Sequence, residues 1–313
     1  MTVFFLLVLL PGCGPLYTYP ASSVPKAIED ICHEEYRLDV QARVAGKTVG
    51  ALLAVDFHAD SNGQIPKEVH EKMGKVMQAV TRVALSTDLP LDFCTVIVRD
   101  KNQGHELAIT RSLDDTKRAN AEALGMEESM SRTVFAQGKV APGTDAFVLK
   151  EVTLENFLTE QIVQRVRFNF SKGSKSQDPE EELQEEIAAQ PVILVDGSFY
   201  QAHGTRTFRF SILSLKSTEP KETLLGVLKT VNDVLQGYQV TAFDGIEIQD
   251  YLNRQKLVLS REVLTAYQKK EITGDQILEK YLVESGSVQE AFKLFGFTVP
   301  QDSSSASSAS PTP

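Results

Sequence analysis

Oxygen-bearing side chains crowd one short stretch of this chain. Asp56, Asp60, Asn62 and Glu68 fall in and around His58-Ala59-Asp60-Ser61-Asn62-Gly63-Gln64-Ile65. Carboxylate and amide oxygens two positions apart, followed by a glycine that allows a sharp turn, are what a hard cation such as calcium requires. Cys13, Cys32 and Cys94 offer a second chemistry, and modification of one would leave an even pair. The histidines, His33, His58, His70, His105 and His203, fall in no metal-ligand or nucleophile spacing, and no glycine-rich phosphate loop follows a strand. Asp100 with Arg111, and Asp250 with Arg261, form a repeated pattern that reads as structural ion pairs at the ends of two hairpins.

The first stretch resembles the core of a calcium-binding EF-hand loop, whose third, fifth, sixth and eighth positions Asp60, Asn62, Gly63 and Ile65 match. His58 stands first, where a carboxylate belongs, and Val69 twelfth, where a bidentate glutamate belongs; Glu68 is one residue short and Asp56 lies just ahead. Calcium is therefore the alternative to a polar connector whose Asn62-Gly63 turn starts a helix, and the connector is the preferred reading. The N-terminus carries a second resemblance. An apolar run from Val3 to Leu10, too short to span a membrane, closes in Leu10-Pro11-Gly12-Cys13. Leu10, Gly12 and Cys13 resemble the lipobox of bacterial lipoprotein signals. That resemblance implies removal of residues 1–12, acylation of Cys13 and a place in the bacterial cell envelope. Gly14 after the cysteine implies the outer membrane, facing the periplasm. The acyl chains of that class would hold the protein on its bilayer, because two chains already give stable anchoring. Without the resemblance, Val3 to Leu10 reads as a buried strand. An oxidising compartment would permit a disulfide between Cys32 and Cys94; the alternative is two small buried hydrophobes.

Composition bounds the rest. The 313 residues, 42% hydrophobic and 24% charged, suffice for about two domains. A net charge of −10 argues against nucleic acid as a partner, since phosphate binding needs clustered Lys and Arg. No later apolar run approaches the ~20 residues of a membrane helix.

Periodicity supplies the elements. Tyr36, Leu38, Val40, Ala42 and Val44 alternate with polar residues, Gly46-Lys47 turns, and Val49, Ala51, Leu53, Val55 and Phe57 return, which predicts a hairpin. Val69, Met73, Val76, Val80 and Val83 form one stripe of a helix opened by Pro66. Val96 and Val98, then Leu107 and Ile109, make a second hairpin. The same order returns: a hairpin around His203-Gly204, a helix bearing Leu224, Leu228, Val231 and Leu235, and a hairpin with Ile246, Ile248, Leu257 and Leu259. A shift of 150 places Phe93 on Phe243, Asp100 on Asp250, Leu107 on Leu257 and Arg111 on Arg261, while the first hairpins align at 158, with Gly46 on Gly204. The expected fold is α+β: two tandem antiparallel ββαββ units, a duplication, with additional helices between and after them. The expected divisions are a signal peptide 1–12, an anchor and tether 13–28, a first unit 29–111, a helical connecting region and linker 112–177, a second unit with C-terminal helices 178–300, and a disordered tail 301–313.

Repeated small domains without a polar constellation fit a non-enzymatic envelope lipoprotein that offers sheet faces or edges to an envelope protein, with no cofactor beyond the lipid on Cys13. The alternatives are a ligand- or cation-binding envelope module, centred on the Asp60 loop or a groove between the units, and an envelope hydrolase whose site is assembled from distant residues. The lipobox resemblance makes one expectation testable at once. Cys13→Ser should leave the protein without lipid and move it from the membrane pellet to the supernatant, as fractionation and intact mass would report.

Overall fold

Amphipathic helices and alternating strands must bury their apolar stripes against one another, and this chain does so twice. The computed structural model describes residues 18–57, 65–141, 143–144, 146–171, 193–214 and 219–297. Two compact units divide between Val152 and Thr153. The first contains α1 (Val24–Tyr36), β1 (Val40–Ala45), β2 (Thr48–Val55), α2 (Lys67–Ala84), β3 (Phe93–Asp100), β4 (His105–Ser112), α3 (Leu113–Asn120), α4 (Met126–Ser131) and β5 (Val134–Lys139). The second contains α5 (Leu154–Ser171), β6 (Ile193–Ala202), β7 (Thr205–Ser214), α6 (Pro220–Gly237), β8 (Gly245–Asp250), β9 (Gln255–Ser260), α7 (Arg261–Gln268), α8 (Gly274–Tyr281), β10 (Leu282–Glu284) and α9 (Val288–Leu294).

The class is α+β with two similar sheet units, as the periodicity predicts. Each sheet has five strands, in the orders β1-β2-β3-β4-β5 and β10-β9-β8-β7-β6. Both sheets are mixed rather than antiparallel: β2 runs parallel to β3, and β7 to β8. The physical cause is the crossing helix, since a chain that leaves a strand, climbs a helix and returns beside that strand must run the same way again.

Pairing register shows how closely the units correspond. The pairs Val96↔Ile109 and Val98↔Leu107 recur as Ile246↔Leu259 and Ile248↔Leu257, a shift of 150 on both strands. In the first hairpins, Ala45↔Thr48 closes Gly46-Lys47 and Ala202↔Thr205 closes His203-Gly204, which puts Gly46 on His203 at a shift of 157. The glycine-on-glycine alignment at 158 is thus one residue out; both Gly46 and His203 carry the positive φ that the turn demands, 54° and 50°. With these two shifts, the parallel pair Gly50↔Thr95 lands on Thr207↔Gly245. The fifth strands follow at a shift of 145, Leu107↔Gln137 becoming Leu257↔Leu282.

The repeat is also larger than ββαββ. Each copy opens with a helix on its edge strand, α1 on β1 and α5 on β6, and closes with two helices and a fifth strand. Residues 113–152, expected as a connector, therefore belong to the first unit. Arg132 fixes α3 and α4 to each other from a buried position, 3.0 Å from Asp115 and 2.7 Å from Glu128. The expected tether likewise gives way to α1, whose Val24, Ile28, Ile31 and Cys32 are buried with α2's Met73, Val76, Val80 and Val83 in the first core. Each such side chain contributes about 1.5–3 kcal/mol of burial.

The opening helices also touch the outer flanks of the sheets. The Ala42 amide on β1 donates to Glu29 Oε1 at 2.9 Å, and Arg167 Nη2 on α5 donates to the Val195 carbonyl on β6 at 2.6 Å. A Cβ at Gly197 would lie 2.7 Å from Thr159 and Val163 methyls, so α5 rests on β6 where the strand has no side chain.

Asp100 and Asp250 occupy matching hairpin turns, both buried. Asp100 accepts from the amides of Asn102 and Gln103, at 3.0 and 3.2 Å; Asp250 accepts from the Asn253 amide and Nδ2, at 3.2 and 2.7 Å. Asp100→Ala and Asp250→Ala should each destabilise their own unit by about 1–3 kcal/mol, because the turn amides lose buried acceptors. Urea unfolding followed by hydrogen exchange would check both.

Candidate interaction surface

In the first unit, one sheet face packs on α1 and α2, while the other face is crossed by the chain that follows β5. We call the described part of that segment, Thr144 with residues 146–152, the strap. Arg99 Nη1 donates to the carbonyls of Thr144 and Ala146 at 2.6 and 3.2 Å, with its guanidinium also held by Glu106 at 2.6 Å. Phe147 is buried, with the Arg43 guanidinium 5.9 Å from its ring centre. Leu149 fills the notch at Gly50, where a Cβ would come within 2.7 Å of its Cδ1. The Val152 amide then donates to Thr48 Oγ1 at 2.8 Å, and the Lys47 amide to Glu151 Oε1 at 3.1 Å. Leu52 beneath the strap is 2% exposed.

The equivalent face of the second sheet carries different chemistry. Arg209 pairs across the sheet with Glu247, and Glu247 with Val258. The Arg209 guanidinium lies 4.1 Å from the Tyr200 ring centre and 3.4 Å from Glu247, which also binds Lys256 at 2.9 Å. Tyr200 and Val258 are each 45% exposed, and Val283, beside Lys256 on the same face, is 52% exposed. An aromatic and aliphatic set around an arginine-centred charge ladder has the composition of a protein contact surface. No sequence motif marks it, because each residue alone reads as an ordinary outward strand position.

The residues singled out by sequence are placed as follows. The stretch 58–64, with Asp60 and Asn62, lies outside the described residues; of its flanking oxygens, Asp56 Oδ1 accepts from Asn102 at 3.4 Å and Glu68 pairs with Lys72 at 2.6 Å. Among the described residues, no three His, Cys, Asp or Glu side chains are arranged to hold a metal ion. Cys13 also lies outside them, and no described helix is long and apolar enough to cross a membrane.

The acid–base pairs do not form. Register sets Arg111 opposite Cys94, six residues before Asp100 on the same strand, which separates the charges by roughly 20 Å. Arg261 likewise lies beyond Ser260, paired with Gly245, at the opposite end of the hairpin from Asp250. A depression on the second unit, lined by Glu271, Ile272, Gln276, Glu279 and Lys280, brings together no nucleophile with a base.

The disulfide is also absent. Cys32 and Cys94 are free thiols buried in one core, but Cys94 faces α2, with Met77 Sδ at 3.8 Å and Thr81 Oγ1 at 3.9 Å, whereas Cys32 lies on α1.

No protein-family model and no curated protein matches this chain. A solved structure described as "Crystal structure of Sex pheromone staph-cAM373 precursor" is similar over 69% of this chain and 67% of that chain, at 9% identity and a TM-score of 0.20. So slight a likeness bears on neither fold nor function.

Burial pushes both thiols up from 9.0 to about 11. The unfolded chain therefore loses these protons first, and the stability they contribute is whole below pH 9 and lost as pH climbs towards 11. The urea midpoint should fall over that interval, and fall less in Cys94→Ala.

Proposed function

We propose that this protein is a non-enzymatic lipoprotein of the bacterial envelope, held by lipid on Cys13 and presenting its tandem α+β units to a protein partner. Location rests on the lipobox resemblance of Leu10, Gly12 and Cys13, with the outer membrane, facing the periplasm, as the proposed site. The presenting surface is the second sheet's outer face. One observation carries this choice: the first unit covers its corresponding face with its own strap, whereas the second leaves Tyr200, Val258 and Val283 exposed around the Arg209–Glu247–Lys256 ladder. Exposed apolar groups interleaved with a desolvatable arginine are where binding energy concentrates in protein contacts.

Proximity crosslinking from the anchored protein in its native cells tests this. Tyr200→Asp should change stability by under about 0.5 kcal/mol, as exposed substitutions do, yet remove the crosslinked neighbour. A neighbour retained by both Tyr200→Asp and Arg209→Glu would place the contact elsewhere.

A further inference from the structure

The duplication extends into the strap. At the shift of 145 that relates β5 to β10, Ala146-Phe147-Val148-Leu149 falls on Ala291-Phe292-Lys293-Leu294, the same Ala-Phe-x-Leu pattern. Tethering at the start of the segment is conserved between the copies as well. The Val140 amide bonds the Gly104 carbonyl at 2.8 Å, and its counterpart Ser285 bonds the Arg254 carbonyl at 2.9 Å. Gln249, at the position of Arg99, donates to the Ser285 carbonyl at 2.7 Å, as Arg99 donates to its own strap. Beyond that point the copies part. The first runs extended across its sheet, whereas the second winds into α9, leaving Leu294 46% exposed and Phe292 half-buried where Phe147 is 1% exposed.

The seat explains the difference. Thr207 stands where Gly50 makes the notch for Leu149, and a side chain there fills the space an incoming leucine would use. Arg209 and Glu247 stand where Leu52 and Ile97 offer an apolar floor, so a seated strap would strip water from two charges. Lys293 replaces Val148; a β-branched residue favours extended backbone and lysine favours helix, and Ser287 Oγ caps α9 by accepting from the Glu290 amide at 3.3 Å. We infer that Thr207, Arg209, Glu247 and Lys293 together hold the second strap off its sheet, and that segment 290–297 is the native occupant of that face when they are reversed. As the device that keeps a partner face open, this rests on the function proposed above; as a statement about the strap, it does not.

Thiol labelling of the full-length protein carrying Cys13→Ser, so that no thiol at the N-terminus competes, reads the strap alone. Arg209→Cys places a reporter at the position of Leu52, and Cys32 and Cys94 stay unlabelled in any folded variant because both are buried, which also monitors folding. With Arg209→Cys alone, maleimide should react quickly. Adding Thr207→Gly, Glu247→Ile and Lys293→Val should slow it about tenfold or more as the strap seats. Leu294→Ser in that background should restore the fast rate by removing the anchoring side chain. Equally fast labelling in the folded reverted protein, or slowing that Leu294→Ser leaves untouched, would overturn the inference. Partner crosslinking, measured separately, decides the function of the face.

Discussion

A pair of parallel strands at the heart of a sheet needs cover on both faces, and each unit is organised around meeting that need. In the first, β2 is buried from Thr48 to Leu53. Two helices supply one cover and the strap supplies the other. The cover is polar at its ends and apolar in its middle: Arg99 and Thr48 hold the backbone, while Phe147 and Leu149 fill the space between. In the second unit, Phe208, Phe210 and Ile212 on β7 and Leu224, Val227, Leu228 and Val231 on α6 are all nearly inaccessible to water. The other side is met by side chains that tolerate solvent. An arginine stacked on a tyrosine and bridged to a glutamate shields a strand with methylenes and ring faces while keeping its charges wet.

Much of this architecture was legible in the order of residues. Alternation gave both hairpins of each unit, and the stripe Val69, Met73, Val76, Val80, Val83 gave α2, because period and burial coincide when one face is dry. Three features were hidden for separate physical reasons. Val24, Ile28, Ile31 and Cys32 have helical spacing, yet they follow so closely on a lipid-anchor pattern that the segment reads as tether. Strand β5 offers only Val134 and Phe135 to alternation before Gln137, Gly138 and Lys139. The first turns were matched by glycine identity, although His203 adopts the left-handed backbone that Gly46 adopts.

The open outer face of the second sheet was illegible for a deeper reason. Whether a strand's outward residues meet water depends on chain from elsewhere in the sequence, and the strap lies about a hundred residues from the β2 positions it covers. The Ala-Phe-x-Leu repeat was present all along, but its alignment needs the fifth-strand shift, which only pairing reveals. The two units share one fold and element order, and a handful of substitutions at the seat accompany the open face of the second.

The flanks of the two sheets carry a different message. Glu29 engages an amide of β1 and Arg167 a carbonyl of β6, each from the helix that opens its unit. Exposed strand borders are where chains zip together into aggregates, and an added strand would have to displace a charged hydrogen-bonding group at either position. Natural selection has thus used opposite charges for one protective task. At the β1 and β6 borders, the groups that turn an incoming strand away are supplied by the helix that precedes each sheet.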